Sequence, residues 1–436
     1  MPINTNDSVI TTSAAAASPA REHQYATLVL LTLAYVICNL DKAMASVLLQ
    51  PIKREFALSD STLGLLTGSA STLPAVLAMI PMGLMADRFN RKTLLIVMIV
   101  LWSFSTGLAG IASSVALLFA SRALVSFFEA GFAPVSMSVI SDSYHPRHRS
   151  TVLGLFAMGA PVGVFMAMAV GGFIAAEYGW RPAFFIAGLP GLIMAILIMM
   201  FLKSPQRGAY DDPNAVRQAP PPMRQAFAHI VKDKRLLHLV SGMVLVIVMM
   251  AVYAIWLPTL FARTHGMNPR QAGLASAIVF GLCGAIGAAV GGAIADRIGR
   301  RGMHRRLDVA IGGTLLAASC ALAALLTSST LGAMTLFGIS AFFSSFYSGP
   351  GFGVVSSIAP PAMRSTTLAL LLLVINIVSV GVGSQLVGTV SDLTHATFGQ
   401  QSIAIGVGAS LLCSLWDIVH LTKARHLLTI EPKNGN

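Results

Sequence analysis

The stretch Gly83-Leu-Met-Ala-Asp87-Arg88-Phe-Asn-Arg91-Lys92 occurs twice in this chain in closely similar form. Its second copy, 209 residues later, is Gly292-Ala-Ile-Ala-Asp296-Arg297-Ile-Gly-Arg300-Arg301. Each copy follows a long apolar segment and places an aspartate and two arginines at the same distances from a glycine. The tripeptide Arg149-Ser-Thr returns at a similar offset as Arg364-Ser-Thr. The sequence therefore predicts two parallel repeats.

The composition indicates a membrane protein. The 436 residues are 55% hydrophobic and 11% charged, with a mean hydropathy of +0.75, whereas soluble proteins carry about 25% charged residues. Twelve apolar segments are each long enough to cross about 30 Å of hydrocarbon as a helix: 25–49, 61–86, 93–111, 115–141, 151–176, 182–202, 236–262, 271–295, 306–326, 331–358, 365–389 and 400–422. The predicted fold class is an all-α polytopic membrane protein with twelve transmembrane helices in two six-helix pseudo-repeats. The soluble class is excluded, and so is a membrane barrel, whose strands are short and alternate.

The repeats and the polar stretch between them predict five regions along the chain. They are a cytoplasmic N-terminal tail at 1–24, an N-terminal six-helix bundle at 25–202, a cytoplasmic linker at 203–235, a C-terminal six-helix bundle at 236–422 and a cytoplasmic C-terminal tail at 423–436. With both termini in the cytoplasm, 22 of the 29 Lys and Arg residues fall in cytoplasmic tails and turns and 5 in external turns. Basic residues retain loops in the cytoplasm, so this orientation is the predicted one.

The charge and the cysteine pattern do not predict binding of nucleic acid or of a metal ion. The net charge of +12 does not predict nucleic-acid binding, because positive-inside retention accounts for it. The four cysteines lie in apolar segments without metal-ligand spacing, so we expect packing residues and no metal site. The tail to about His23 does not have the pattern of a cleavable signal peptide, and the first helix is expected to be an uncleaved insertion signal.

The loop motif resembles that of the major facilitator superfamily, G-x-x-x-D-R-x-G-R-[RK]. The matching residues are Gly83, Asp87, Arg88, Arg91 and Lys92 in the first copy and Gly292, Asp296, Arg297, Gly299, Arg300 and Arg301 in the second. The resemblance covers roughly residues 25–425. It implies that these loops hold two cytoplasmic helix ends together in the outward-open state, so Gly83, Asp87, Arg88, Arg91, Gly292, Asp296, Arg297 and Arg300 are the predicted cytoplasmic gate. Plain positive-inside retention would explain the arginines but not the matched spacing of glycine and aspartate.

Within that superfamily the chain is similar to bacterial Spinster-type members. The matching stretches are Asn39-Leu-Asp41-Lys42, Pro51-Ile-Lys-Arg-Glu-Phe, Glu129-Ala-Gly, Gly179-Trp180-Arg181-Pro-Ala-Phe and Pro360-Pro361-Ala-Met-Arg364. The group usually has arginine where this chain has Lys42, and small residues where it has Phe127 and Phe128. The phenylalanines would fill space that glycine leaves open.

Three ionisable residues inside apolar segments are the predicted proton-coupling site: Asp41, Arg122 and Glu129. Arg122 and Glu129 are two helical turns apart on nearly the same face. Intramembrane charge is costly and usually functional. The proton affinity of a buried carboxylate rises with desolvation and falls beside an arginine. Movement of the arginine away from the carboxylate and back would therefore couple protonation to conformation. The alternative is a permanent salt bridge that holds two helices together.

The second repeat has no copy of these charges, so we expect ion coupling to reside in the N-terminal half. Candidate substrate-binding residues are Lys42, Arg122, Phe127, Phe128, Tyr253, Trp256 and Asn376. Lys42 and Arg122 favour an anionic group and the phenylalanines an apolar or aromatic body, so an aromatic carboxylate would suit both. For Lys42 a purely structural partner role stays equally open, and for the other polar candidates helix packing does.

These residues predict a secondary active transporter in the bacterial inner membrane, proton-coupled and working by alternating access. Its cargo would be a small organic anion or an amphipathic molecule, by symport or antiport. The alternatives are a Spinster-like lysolipid exporter and, less favoured, a non-transporting membrane receptor. We expect no enzyme activity, no cofactor other than the coupling proton, no nucleic acid, and a monomer whose partners are a small-molecule substrate and the lipid bilayer.

Overall fold

The computed structural model describes residues 21–203, 223–360 and 363–430. The middle of the predicted linker, the outer parts of both predicted tails and the side chain of Asp87 lie outside the described residues. The described residues form helices and their connections. The α-helices are α1 (Arg21–Phe56), α2 (Asp60–Thr67), α3 (Ser69–Arg88), α4 (Arg91–Gly110), α5 (Val115–Glu129), α6 (Phe132–Ser143), α7 (Pro146–Ala157), α8 (Gly159–Glu177), α9 (Trp180–Phe201), α10 (Met223–Lys232), α11 (Lys234–Thr264), α12 (Pro269–Ser276), α13 (Gly284–Gly299), α14 (Arg305–Leu326), α15 (Thr330–Ser344), α16 (Ser348–Ile358), α17 (Arg364–Ile375), α18 (Gly383–Phe398) and α19 (Ser402–Ile430).

These helices make twelve passes, as predicted. Eleven described stretches are long and apolar enough to span a membrane, and the last of them, Thr366–Ile430, contains two passes. Within it, α18 turns at Gly399–Gln401 and α19 packs back against it. Passes 2, 4, 5, 8, 10 and 11 consist of consecutive helical pieces. The all-α membrane fold is therefore confirmed.

The helix ends extend beyond the apolar segments. Helix α1 begins at Arg21, four residues before the predicted start of the first bundle, and α19 continues to Ile430. Helix α10, whose apolar face buries Ala226 and Ile230, lies within the predicted linker. Polar turns can continue a helix beyond the hydrocarbon, so hydropathy marks the membrane crossing and not the whole helix.

The apolar cores show how the two six-helix bundles meet. We call the side that holds Arg21 and Ile430 the termini side and the opposite one the far side. Towards the termini side each bundle has its own core, one built from residues between 28 and 202 and the other from residues between 226 and 424. Towards the far side a single core joins both, with Leu63 and Trp180 of the first bundle and Phe261 of the second. The bundles are therefore packed together on the far side and separate on the termini side.

Small residues let the bundles approach closely where passes 5 and 8 meet. Helix α8 contacts α12, and a Cβ at Gly172 would lie 2.6 Å from the carbonyl oxygen of Pro269. A Cβ that close requires the backbone to move, so only glycine fits at this contact.

Gly172→Leu is expected to prevent the far side from closing. The added side chain must separate α8 from α12, so a cysteine placed at Ala254, which lines the space between the two bundles, should react faster with a thiol reagent supplied from the far side. Gly154→Leu is the matched control, since a Cβ at Gly154 meets nothing within 4 Å. Equal labelling rates for the two folded variants would show that this contact is not needed to close the far side.

Two passes of the second bundle contain a π-helical turn, one at Ala277–Cys283 in pass 8 and one at Asn376–Val382 in pass 11. Both turns contact the first bundle, through α8 and α3 respectively. Such turns are rare and occur frequently at functional sites.

Candidate functional site

A cavity of about 290 Å³ lies between the two bundles. Its lining residues come from passes 1, 2, 4 and 5 of the first bundle and passes 7 and 11 of the second. They are Lys42, Ala43, Ala45, Ser46, Leu66, Thr67, Ser71, Thr72, Ala75, Arg122, Ser126, Ala130, Val164, Ala251, Ala254, Ile255, Asn376 and Val380. Two of these side chains are cationic, five carry hydroxyl groups, one is an amide and none is acidic. The lining therefore suits a small anion with hydrogen-bonding groups.

Asp41 and Arg122 form a buried ion pair beside this cavity. The Arg122 Nη1 donates to Asp41 Oδ1 at 3.0 Å, and the hydroxyl of Thr106 donates to Asp41 Oδ2. Arg122 also lies over the ring of Phe184, 5.9 Å from its centre. Both charged side chains are almost fully buried. A buried pair is tolerated when its remaining hydrogen-bonding capacity is met, and these contacts meet much of it.

Glu129 pairs with Lys42 and not with Arg122. Lys42 Nζ lies 3.8 Å from Glu129 Oε2; the glutamate side chain is fully buried and that of the lysine is 47% exposed towards the cavity. Neither oxygen of Glu129 accepts a hydrogen bond from a described residue. Asp41 and Lys42 are adjacent on α1 and point about 100° apart. Asp41 therefore reaches Arg122 on α5, and Lys42 reaches Glu129 two turns further along the same helix. The predicted three-residue network thus has Lys42 as a fourth member.

Phe127 and Phe128 do not line the cavity. They pack edge to face with ring centres 5.4 Å apart and contact the core of the first bundle. The cavity face of pass 4 holds Arg122, Ser126 and Ala130, spaced four residues apart. At 100° per residue, positions 127 and 128 turn away from that face. The expectation that they contact an aromatic substrate is not met by this arrangement.

Tyr253 and Trp256 also lie outside the cavity lining. Tyr253 is fully buried and its hydroxyl is 2.8 Å from that of Ser340, while Trp256 is buried in the core shared by the bundles. On α11 the cavity is lined by Ala251, Ala254 and Ile255, so residues 253 and 256 occupy the opposite face. The predicted alternative, helix packing, describes both residues in this conformation.

Asn376 does line the cavity, as the sequence indicated. Its amide nitrogen donates to the carbonyl oxygen of Leu372 at 2.8 Å. The amide oxygen stays available to a ligand, and the residue begins the π-helical turn of pass 11. Among the candidates in the second bundle, this residue alone reaches the site.

A cluster on the far side, which the sequence did not reveal, joins the two bundles. Asp60, at the start of α2, bonds to both Nη atoms of Arg263 at 2.6 and 2.5 Å and to Lys53 Nζ at 2.5 Å. Ser391 donates to the same carboxylate at 2.7 Å, and Asp392 accepts from the backbone N–H groups of Asp60 and Ser61 at 2.8 and 2.7 Å. We call these residues (Lys53, Asp60, Arg263, Ser391 and Asp392) the Asp60 cluster. It closes the far side by linking passes 1 and 2 to passes 7 and 11.

The predicted gate residues on the termini side pair within their own bundles. Arg91 pairs with Asp142, and Arg306 Nη2 lies 3.5 Å from Asp296 Oδ1. The remaining members are arranged as follows: Arg88, Arg297 and Arg300 are exposed, Gly83 and Gly292 have open space where a Cβ would lie, and the Asp87 side chain is outside the described residues. These pairs are consistent with separated helix ends on this side; a role as a gate stays a prediction.

Metal-ligand geometry does not occur among the described residues. No group of three or more His, Cys, Asp and Glu side chains in that part of the chain is placed to hold a metal ion. The four cysteines are free. The chemistry of the site therefore rests on the two ion pairs and the hydroxyl-rich lining.

The sequence of this chain matches a known family along most of its length. The profile described as Major Facilitator Superfamily matches residues 31–384. The chain is similar to the crystal structure of a bacterial homologue of the human lysosomal transporter Spinster in an inward-facing, unoccupied conformation. The identity is 25% and the TM-score 0.83, covering 96% of this chain and 100% of that one. The predicted similarity to Spinster-type proteins is confirmed.

Two relatives of known name extend the comparison. An MFS-type efflux pump of Mycolicibacterium smegmatis is 24% identical over 372 residues, covering 85% of this chain and 84% of that protein. A hexuronate transporter of Bacillus subtilis is 26% identical over 319 residues, covering 72% and 75% of the two chains.

Proposed function

The chain belongs to the Major Facilitator Superfamily, and we propose on that basis that it is a secondary active transporter that moves a small organic anion together with protons. It is an integral membrane protein, because its helices are long and apolar enough to span a membrane and its family consists of membrane transporters. The single observation that carries the proposal is the cavity between the bundles, which has two cations, five hydroxyl groups and no acidic side chain in its lining.

The composition of the lining favours a hydroxylated acid over an aromatic one. Lys42 offers a cation for a carboxylate, and Ser46, Thr67, Ser71 and Thr72 offer hydrogen bonds to hydroxyl groups. A volume of about 290 Å³ lies just below the roughly 300–1,000 Å³ of typical small-molecule sites, which suits a small substrate. The similarity to a protein named as a hexuronate transporter supports the same class of substrate.

Proton coupling would follow from the position of Lys42 between the cavity and Glu129. A substrate carboxylate that binds Lys42 would draw its charge away from Glu129. A fully buried carboxylate without a counter-charge is costly, and a proton removes that cost. Substrate and proton would therefore bind together, which is the behaviour of a symporter.

We further propose that the termini side is cytoplasmic and the membrane is the bacterial inner membrane. The distribution of basic residues, 22 against 5, supports this orientation. The arrangement with a closed far side is then an inward-facing state, in which the cavity exchanges substrate with the cytoplasm.

Transport can be tested with purified full-length protein in liposomes under an imposed inward proton gradient. The panel comprises labelled hexuronates, other hydroxylated acids, aromatic carboxylates and lysophospholipids. We expect accumulation of a hydroxylated acid that a protonophore abolishes. Movement of lysophospholipids alone would favour the lipid exporter, and binding without movement would favour the receptor; either outcome overturns the proposal.

Lys42→Ala is expected to raise the KM for the substrate by roughly tenfold or more, because a hydrogen bond to a charged group contributes about 1.5–3 kcal/mol. The measurement is exchange of labelled substrate at equal pH on both sides, so that loss of proton coupling does not affect it. Lys42→Arg keeps the charge and should retain a KM within a few fold of the wild type. An unchanged KM for Lys42→Ala would rule out Lys42 as the anion-binding residue.

A further inference from the structure

A cleft with a basic lining opens where passes 7 and 12 reach the termini side. It has a volume of about 460 Å³ and is lined by Lys234, His238, Thr422, Lys423, His426 and Leu427. Lys234 begins α11, and both lysines are exposed. The lining thus has two lysines and two histidines and no acid.

The described acids of α19, of the neighbouring α14 and of the residue before α11 are directed elsewhere. Asp233 bonds to Arg235 at 2.7 and 3.0 Å, and Asp308 pairs with Arg425. Asp417 is fully buried on the inner face of α19. Within the described part of the chain, neither Lys234 nor Lys423 has an ion-pair partner. Among the described residues, the positive charge of the cleft is therefore uncompensated.

An apolar groove lies next to this cleft along the same two helices, with one lining residue from α17. Its volume is about 330 Å³, and it is lined by Val240, Ser241, Val244, Leu245, Val374, Trp416 and His420. Trp416 is 64% exposed on this outer surface. From position 234 to position 245 the helix rises about 16 Å, so cleft and groove form a slot that is basic at the termini side and apolar towards the membrane centre.

The junction of the two parts is fixed by a contact between the helices. His238 Nδ1 and His420 Nδ1 are 3.0 Å apart, and the His420 ring stacks on Trp416 with centres 6.5 Å apart. Tryptophan is enriched at the membrane–water interface. The change from basic to apolar lining thus coincides with a residue typical of that depth.

We propose that this slot binds an anionic phospholipid, with the phosphate between Lys234 and Lys423 and an acyl chain in the groove against Trp416. Basic pockets between transmembrane helices at a membrane surface have the charge and position that such headgroups need. A free anion would use the cleft but not the groove, and a neutral lipid would use the groove but not the cleft. The site lies on the outer surface of the second bundle and is independent of the transport cavity.

Fluorescence quenching tests the site directly in the full-length protein. The other three tryptophans, Trp102, Trp180 and Trp256, are buried, so quenching by a brominated acyl chain reports mainly on Trp416. We expect brominated phosphatidylglycerol, diluted into phosphatidylcholine vesicles, to quench more strongly than brominated phosphatidylcholine at the same fraction. Trp416→Phe should remove the difference.

The double variant Lys234→Gln, Lys423→Gln should lower the apparent affinity for phosphatidylglycerol by roughly thirtyfold and leave quenching by phosphatidylcholine unchanged. The double variant Arg301→Gln, Arg305→Gln is the control, because it removes two exposed charges elsewhere on the same side of the second bundle. Equal quenching by the two lipids in the wild type would overturn the proposal even if a variant failed to fold. So would retained selectivity in the lysine variant.

Discussion

Glu129→Gln is expected to abolish proton-driven accumulation of substrate while leaving substrate exchange in place. Glutamine keeps the size of the side chain but does not gain or lose a proton at this position. In the structure both Glu129 oxygens are buried without a hydrogen bond from a described residue, and Lys42, at 3.8 Å, is shared with the cavity. Without proton coupling the gradient no longer drives the substrate, so the ratio of internal to external substrate should fall to about one.

The measurement compares uptake driven by a proton gradient with exchange at equal pH, in liposomes with equal amounts of protein. Asp417→Asn is the matched control, because it neutralises another fully buried carboxylate, one that lies in the second bundle. We expect this control to accumulate substrate as the wild type does. Wild-type accumulation by Glu129→Gln would place coupling on another residue, and an equal loss in Asp417→Asn would contradict coupling by the first bundle alone.

Asp60→Asn is expected to shift the protein towards a state that is open on the far side. Asp60 compensates both Arg263 and Lys53, so its neutralisation leaves two cations of different bundles facing each other. Removing one partner of a buried ion pair costs about 3–5 kcal/mol. If most of this cost falls on the closed state, the ratio of closed to open molecules should drop by roughly a hundredfold or more.

Spin labels at Arg54 and Gln400, which flank the cluster on different bundles, would report the change as a longer distance, in a background without the four native cysteines. Glu55→Gln is the control: it breaks the far-side pair between Glu55 and Arg181, 2.6 Å apart, which lies within the first bundle. We expect no change in the label distance for it. A shift as large in Glu55→Gln as in Asp60→Asn would mean that the Asp60 cluster has no special part in closure.

The repeat and the twelve passes could be predicted because each depends on a local pattern. Twenty apolar residues in a row have one stable arrangement in a bilayer, and the recurrence of the loop motif at Gly83 and Gly292 is visible without coordinates. The Asp60 cluster could not be predicted in the same way. An aspartate at the first position of a helix is commonplace, and nothing local to Asp60 indicates that Arg263, 203 residues away, completes the pair.

The site was predictable in its charges but not in their pairing. Isolated charges in apolar segments identified Asp41, Arg122 and Glu129, yet the partner of each depends on helix rotation, and adjacent residues on α1 diverge enough to choose different partners. Helix rotation also explains why Phe127 and Tyr253 do not line the cavity. Both were predicted to contact substrate from their residue type, but they lie on helix faces that point away from the cavity. The residue types alone contain no information about which face of a pass meets the other bundle.

The two π-helical turns would allow part of pass 8 and part of pass 11 to rotate about the helix axis while the ends of each pass stay in place. Each turn accommodates one residue more than an α-helical turn would. If the π-helical turn moved to another position in the helix, the segment between its old and new positions would rotate by about 100° and advance by about 1.5 Å. In pass 11 the residues concerned include Asn376 and Val380, both of which face the cavity. Such a movement in pass 11 would change which side chains of the second bundle face the cavity. The charged residues of the first bundle would keep their positions.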